Sequence, residues 1–109
     1  PDQVGPASRL TVDQLRGALA GSAAPVVIDV RGASEREEGA VAGSLHIPLA
    51  ELHSRMAEVP ADRPVVVHCA GGHRSSIAAS LLRHHGHTDV SDLLGGYGAW
   101  SAAGEQASA

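Results

Sequence analysis

The feature that most constrains the fold is a run of valines that ends at the chain's single cysteine and is followed by a glycine pair. From Pro64 the stretch reads PVVVHCAGGHRSS. The valines at 65–67 are β-branched and do not alternate with polar residues, which is typical of a strand buried on both faces of a parallel sheet. The next residues show helical periodicity, with Ser75 or Ser76 as the expected N-cap and Gly86 as the expected stop. The sequence therefore predicts a strand, a short loop and a helix in direct succession.

The cysteine lies in the loop between this strand and this helix. Backbone N–H groups of a tight loop can converge on one point, and a helix N-terminus adds further N–H groups and a positive dipole end. With Cys69 at that point, these groups and Arg74 are expected to lower the pKa of the thiol and so produce a nucleophile ionised near neutral pH. Gly71 and Gly72 are expected to let the backbone curl this closely, because a side chain there would clash or require a positive φ.

A lone cysteine also has a simpler interpretation, as a small buried apolar side chain. The cysteine by itself does not separate the two interpretations. Here the strand is followed by a cysteine, four intervening residues, an arginine, a serine and a helix. That combination is specific, and it favours the nucleophile.

Four segments resemble the signature segments of one family. CAGGHRS at 69–75 resembles the active-site loop of the rhodanese family, whose common form is CxxGxR followed by Ser or Thr. The other similar segments are VVIDVR at 26–31, GAVAGSLHIP at 39–48 and VSDLLGGYGAW at 90–100. The chain departs from the family pattern at Ala40, where His is usual, and at His46, where Asn is usual. Neither departure touches the cysteine loop.

Apolar runs near residues 26, 45, 65 and 90 alternate with helical patterns, which predicts an α/β fold with right-handed crossovers. The resemblance implies a three-layer rhodanese-like sandwich, with a four- to five-stranded, mainly parallel sheet flanked by helices on both faces. Arg9 and Leu10 are expected to add the fifth strand at an edge. The domain is expected to span residues 9–103, between a linker at 1–8 and a flexible tail at 104–109. Because an initiating Met is lacking, we expect one domain of a longer polypeptide.

The resemblance implies a sulfurtransferase that moves a sulfane sulfur from thiosulfate or a persulfide to a thiol or cyanide, through a persulfide on Cys69. It implies no metal or organic cofactor, and its partners are a small-molecule sulfur donor and a thiol acceptor. Related domains can be fused to others, including metallo-β-lactamase-like persulfide dioxygenases, so a fused partner of that kind is an expectation here. The residues expected to bind substrate are those of the loop: Ala70, Gly71, Gly72, His73, Arg74 and Ser75.

Two alternatives stay open at this point. Cysteine-dependent phosphatases and arsenate reductases use a similar cradle, but their loop is one residue longer and wraps a tetrahedral oxyanion. Rhodanese-like domains that lack the cysteine serve as non-catalytic interaction modules. The retained Cys69, glycine pair and Arg74 favour the transferase over both.

Asp29 and Arg31 end the first long apolar strand, at the edge where ligands bind in open parallel sheets. In a functional interpretation Asp29 orients a loop amide or Arg74, while Arg31 forms a salt bridge nearby. In the other interpretation the two form a solvated or structural ion pair without a functional role. The charged run at 34–38 is interpreted as a solvated turn or short helix.

Composition and charge narrow the classes of partner and cellular location that the sequence allows. The net charge of −4 gives no electrostatic reason to expect nucleic acid or an anionic membrane as a partner, and no apolar run approaches the length of a membrane span. A single cysteine excludes an internal disulfide and suits a reducing compartment, so a cytoplasmic location is expected.

The histidines suggest a metal site only weakly. The candidates are His84, His85 and His87, but adjacent histidines near a helix end are also favoured by the helix dipole. His73 is expected to face an anionic substrate, and His68 to pack beneath the loop.

Overall fold

The computed structural model describes residues 8–108. Those residues form a five-stranded sheet in which every neighbouring pair of strands is parallel, in the order β1-β5-β4-β2-β3. The strand that leads to the cysteine therefore lies at the centre of the sheet. The strands are β1 (Ser8–Leu10), β2 (Val26–Asp29), β3 (Leu45–His46), β4 (Val65–His68) and β5 (Val90–Leu93).

Helices cover both faces of this sheet, because consecutive valines of β4 face opposite sides. The helices are α1 (Val12–Ala20), α2 (Ala33–Glu37), α3 (Leu49–Leu52), α4 (His73–His84) and α5 (Gly96–Ser108), and a 3₁₀ turn spans Met56–Glu58. Val65 and Val67 pack into one apolar cluster with α3 and α4, whereas Val66 packs into a second cluster with α1 and α5. The expected three-layer α/β sandwich is confirmed, with β1 as its fifth, edge strand.

The start of α4 differs from the prediction. Neither Ser75 nor Ser76 is the N-cap, because the helix begins at His73, directly after Gly72. Gly72 has a φ of +120°, so the chain can turn from the loop into the helix without a connecting residue. Gly86 follows the helix at a φ of +100°, as expected for a glycine stop.

Regular structure extends slightly beyond the predicted domain, residues 9–103, at both ends. Ser8, assigned to the linker, lies in β1, while residues 1–7 of that linker lie outside the described residues. Residues 104–108, assigned to the flexible tail, continue α5. Their small and polar composition resembles that of a flexible tail, but Glu, Gln and Ala are also good helix formers.

Within residues 8–108, no helix combines the length and apolarity needed to cross a bilayer.

Candidate active site

The N-terminus of α5 holds the loop that carries Cys69 through two backbone hydrogen bonds. The carbonyl oxygen of Cys69 accepts a hydrogen bond from the backbone N–H of Tyr97 at 2.7 Å. The next carbonyl oxygen, of Ala70, accepts one from the N–H of Gly98 at 3.1 Å. The first turn of a helix has N–H groups without intrahelical partners, and here the loop carbonyls satisfy them. This pairing leaves the loop N–H groups free to face the sulfur.

Two of those N–H groups point at the thiol. Gly72 N lies 3.0 Å from Cys69 Sγ, and Ser75 N lies 3.4 Å from it. Burial alone raises the pKa of the Cys69 thiol, but hydrogen bonds from the loop and from Ser75 outweigh burial and lower the pKa below its ordinary value. The sulfur thus occupies the position of an N-cap acceptor at the start of α4. Such a site stabilises a thiolate.

A lowered pKa predicts that Cys69 ionises at a lower pH in the folded domain than in the unfolded chain. The chain has one cysteine, so the ultraviolet absorbance of its thiolate, corrected with Cys69→Ala, reports this group directly. We expect the midpoint of a pH titration to fall below about 8.5, the value of a free thiol, and to return there in denaturant. The same shift adds stability above the unfolded pKa that is lost as pH falls through the folded one. A midpoint at or above that of the unfolded chain would contradict the geometry.

The two glycines of the loop do not contribute equally. Gly72 has a positive φ, so any other residue there would be strained. Gly71 has no positive φ, and a Cβ added there would meet nothing within 4 Å. The prediction that both glycines are required is therefore right for Gly72 and wrong for Gly71.

A third glycine, distant in sequence, also shapes the loop. Gly96 has a φ of +61°, and a Cβ built on it would lie 2.5 Å from the carbonyl oxygen of Cys69 and 2.7 Å from that of Ala70. In the sequence, the glycine pair at 95–96 follows the last apolar run, and such a pair ordinarily indicates a turn. The glycine pair after β5 was visible in the sequence, but its contact with the cysteine loop was not.

Gly96→Ala is expected to destabilise the domain by about 2–4 kcal/mol, because it combines a left-handed backbone with a clash against backbone atoms. Gly71→Ala, in the cysteine loop that Gly96 contacts, is the matched control and should change the free energy of unfolding by less than about 0.5 kcal/mol. Urea denaturation of both variants measures the difference. Equal stabilities would show that α5 does not press against the loop.

Arg74 is engaged by a residue that sequence reasoning did not select. Its guanidinium donates two hydrogen bonds of 2.8 Å to the two carboxylate oxygens of Glu35, on α2. The paired guanidinium, helped by the N–H of Gly32, holds the pKa of the Glu35 carboxyl at about 2. The charged run at 34–38, interpreted as solvated, thus supplies a partner for the loop arginine.

The side chain of Asp29 does not reach Arg74 or a loop amide. It is fully buried and accepts hydrogen bonds from the backbone and guanidinium of Arg31 at 2.9–3.0 Å, and from Arg36 at 3.2 Å. The expected salt bridge of Arg31 is therefore present, but it is formed with Asp29 itself. Arg31 also donates to the carbonyl oxygen of Gly39 at 2.6 Å and lies over the ring of Tyr97. These contacts tie β2 to α5 and make the pair a support of the fold.

Ser75 rests on a second buried carboxylate that sequence reasoning missed. Its hydroxyl lies 3.3 Å from Asp92 Oδ2 and 3.2 Å from the carbonyl oxygen of Gly72. Asp92 is 2% exposed, and its other oxygen lies 3.6 Å from the guanidinium of Arg9. Its position at the carboxyl end of an apolar strand, like that of Asp29, was the signal available in the sequence.

The histidines fall into different environments. His68 is fully buried directly before the cysteine, as expected, and burial lowers its pKa. His73 is exposed at the start of α4. His84 and His85 have adjacent rings, whereas His87 is buried elsewhere. Across residues 8–108, no group of three or more His, Cys, Asp or Glu side chains is placed to hold a metal ion.

Two bacterial proteins are similar to this chain in sequence. The chain is 38% identical over 91 residues to the uncharacterized protein YqhL of Bacillus subtilis, covering 84% of this chain and 70% of that one. It is 34% identical over 92 residues to a protein named sulfurtransferase in Allochromatium vinosum, covering 84% of this chain and 86% of that one.

Solved structures of similar fold include two at 30% identity. A rhodanese-related protein of Thermoplasma volcanium has a TM-score of 0.81, covering 89% of this chain and 93% of that one. A Rhodopseudomonas palustris protein, described as a possible tyrosine phosphatase, also has a TM-score of 0.81, covering 90% and 82%. The family model described as the rhodanese-like domain matches residues 11–103. With the parallel sandwich and the cysteine loop already in place, this chain belongs to the family of rhodanese-like domains.

Proposed function

We propose that this domain is a sulfurtransferase that carries a sulfane sulfur as a persulfide on Cys69. The observation that carries the proposal is the convergence of the N–H groups of Gly72 and Ser75 on the Cys69 sulfur, at 3.0 and 3.4 Å. These donors stabilise negative charge on sulfur in the resting thiolate, and they are equally placed to stabilise it in a persulfide anion. The relative that is named sulfurtransferase supports the same chemistry.

In the first half-reaction, the Cys69 thiolate attacks the terminal sulfur of thiosulfate or of an organic persulfide. A new S–S bond forms at Cys69 as the donor's S–S bond breaks, and the electron pair leaves with sulfite or with a thiolate. In the second, an acceptor thiolate or cyanide attacks the outer sulfur and the Cys69 thiolate leaves. In this proposal Arg74 and the loop from Ala70 to Ser75 bind the donor around the reacting sulfur, and these steps use no metal or organic cofactor.

The test is intact-mass spectrometry before and after incubation with thiosulfate or glutathione persulfide. We expect the protein to gain one sulfur atom and to lose it again on addition of cyanide, with thiocyanate released. No gain of sulfur from any sulfane donor would overturn the proposal.

We also propose a reducing, cytoplasmic setting for this domain. The acceptor in this proposal is a thiol, either free or on a fused domain such as a persulfide dioxygenase.

A phosphatase is the second candidate, because one structural neighbour is described as a possible tyrosine phosphatase. Two observations favour sulfur transfer instead. Four residues separate Cys69 from Arg74, so the ring of amides is small, and Cys69 is only 1% exposed. A single terminal sulfur atom fits such a site better than a tetrahedral phosphate. Release of phosphate from para-nitrophenyl phosphate, with no gain of sulfur, would reverse this preference.

A further inference from the structure

The positive charge available to an anionic substrate at this site comes from one residue. The chain contains no lysine, and Arg74 is the arginine within the cysteine loop. The other arginines of residues 8–108 are committed elsewhere, to carboxylates, carbonyl oxygens or an aromatic ring. Those arginines are Arg9, Arg16, Arg31, Arg36, Arg55, Arg63 and Arg83.

Arg74 is itself already paired. Both of its terminal nitrogens lie 2.8 Å from a Glu35 oxygen, which is the strongest geometry that a guanidinium and a carboxylate adopt. Glu35 is fixed in place by a further hydrogen bond, from the N–H of Gly32 to its Oε1 at 2.9 Å. The pair is formally neutral. Arg74 still interacts with Cys69, but the groups that chiefly stabilise the Cys69 thiolate are backbone N–H groups and Ser75.

This arrangement disfavours a doubly charged donor. Thiosulfate brings two negative charges towards a thiolate and towards the Glu35 carboxylate, with a neutralised arginine between them. Repulsion between unit charges near a protein surface amounts to a few kcal/mol at about 4 Å before solvent screening reduces it. An organic persulfide that is protonated on its terminal sulfur, or a thiosulfonate with one charge, avoids most of this repulsion.

Building on the sulfurtransferase function proposed above, we propose that Glu35 determines donor specificity. By occupying Arg74, it selects against dianionic donors and in favour of persulfides and thiosulfonates that carry at most one charge beside the transferable sulfur. Glu35 acts through Arg74 and is therefore a positioning residue. The donor class expected for this site is accordingly a persulfide or a thiosulfonate of that kind.

The test compares thiosulfate with methanethiosulfonate, in which a methyl group replaces one charged oxygen. Both donors form the same Cys69 persulfide, the first releasing sulfite and the second methanesulfinate, each with the electron pair of the broken S–S bond. In Glu35→Gln the amide oxygen can still accept from Gly32 while Arg74 gains a free charge. The kcat/KM ratio of methanethiosulfonate to thiosulfate should fall about tenfold, mainly through a lower KM for thiosulfate, which corresponds to about 1.4 kcal/mol.

Glu37→Gln is the matched control, since it removes the same charge from the same helix. The Glu37 side chain is exposed and has no hydrogen-bond or ion-pair partner among residues 8–108. The donor ratio should stay within about twofold in this variant, as is usual for surface substitutions away from a site. In an Arg74→Gln background, Glu35→Gln should no longer change the ratio, because the two residues act as one unit.

The outcomes separate this inference from the function on which it rests. If the wild-type protein gains sulfur but Glu35→Gln slows both donors equally, Glu35 only holds Arg74 in place and the specificity inference is wrong. An equal shift in Glu37→Gln would also overturn it, as a general effect of charge. If the wild-type protein gains sulfur from neither donor, the sulfurtransferase proposal itself fails, and the inference with it.

Discussion

Serine in place of Cys69 is expected to abolish sulfur uptake while leaving the domain folded. The serine hydroxyl can still accept the hydrogen bond from Gly72, but it remains protonated at neutral pH and cannot form a persulfide. Removal of a covalent nucleophile typically costs 10⁴-fold or more in turnover, so we expect a loss of at least about 10⁴-fold. Intact-mass spectrometry after incubation with thiosulfate should then show no added sulfur.

The fold provides the control for that experiment. Cys69 is buried, but serine is smaller and its polar atom has partners, so Cys69→Ser should shift the free energy of unfolding by only about 1 kcal/mol. Retained sulfur transfer in a folded Cys69→Ser variant would contradict the persulfide mechanism. Loss of transfer together with unfolding would be resolved by Cys69→Ala, which removes the nucleophile without burying a hydroxyl.

Asp29→Ala is expected to destabilise the domain by about 3–5 kcal/mol, the largest effect on stability that we predict. The carboxylate is fully buried and neutralises Arg31, whose side chain is 4% exposed, so its loss leaves a buried positive charge without its carboxylate partner. Small domains have about 5–15 kcal/mol in total, so a large share of the stability disappears. Urea denaturation monitored by circular dichroism measures the change.

Glu51→Ala provides the comparison for Asp29→Ala. The Glu51 side chain is 54% exposed and pairs with Arg55 four residues away, so its loss should cost no more than about 1 kcal/mol. Equal costs for both variants at neutral pH would contradict this account.

The contribution of Asp29 to stability depends on pH. Burial raises the pKa of the Asp29 carboxyl, but the hydrogen bonds from Arg31 outweigh burial and lower this pKa overall. The stabilisation by Asp29 is therefore complete above the unfolded pKa of about 3.9 and is lost as the pH falls through the lower folded value.

Local sequence predicted the parts of the site that are continuous along the chain. A run of β-branched residues without alternation can be satisfied only by burial on both faces, which placed β4 at the centre of the sheet. The cysteine, Gly72 and the helical pattern after them define a strand-loop-helix corner within a dozen residues. The convergence of N–H groups on Cys69 could be inferred because neighbouring residues alone create it.

Tertiary structure decided everything that joins this corner to distant residues. Glu35 and Arg74 are 39 residues apart, and nothing in the periodicity around either one indicates that they meet. In the functional interpretation Asp29 orients a loop amide or Arg74, yet the packing of β2 turns its carboxylate towards Arg31 and Arg36. The local sequence likewise indicates only a turn at Gly96, whereas the structure packs this residue, at the start of α5, against the loop carbonyls of Cys69 and Ala70.

The physical reason for this division is the range of the forces involved. Strand propensity, capping and the geometry of a tight loop depend on residues within one or two turns of each other, so the sequence alone determined the nucleophile and its cradle. Ion-pair partners and close backbone contacts depend on how the helices pack across the sheet. The structure alone therefore decided that Arg74 meets substrate already paired with Glu35, and that α5 holds the loop in place.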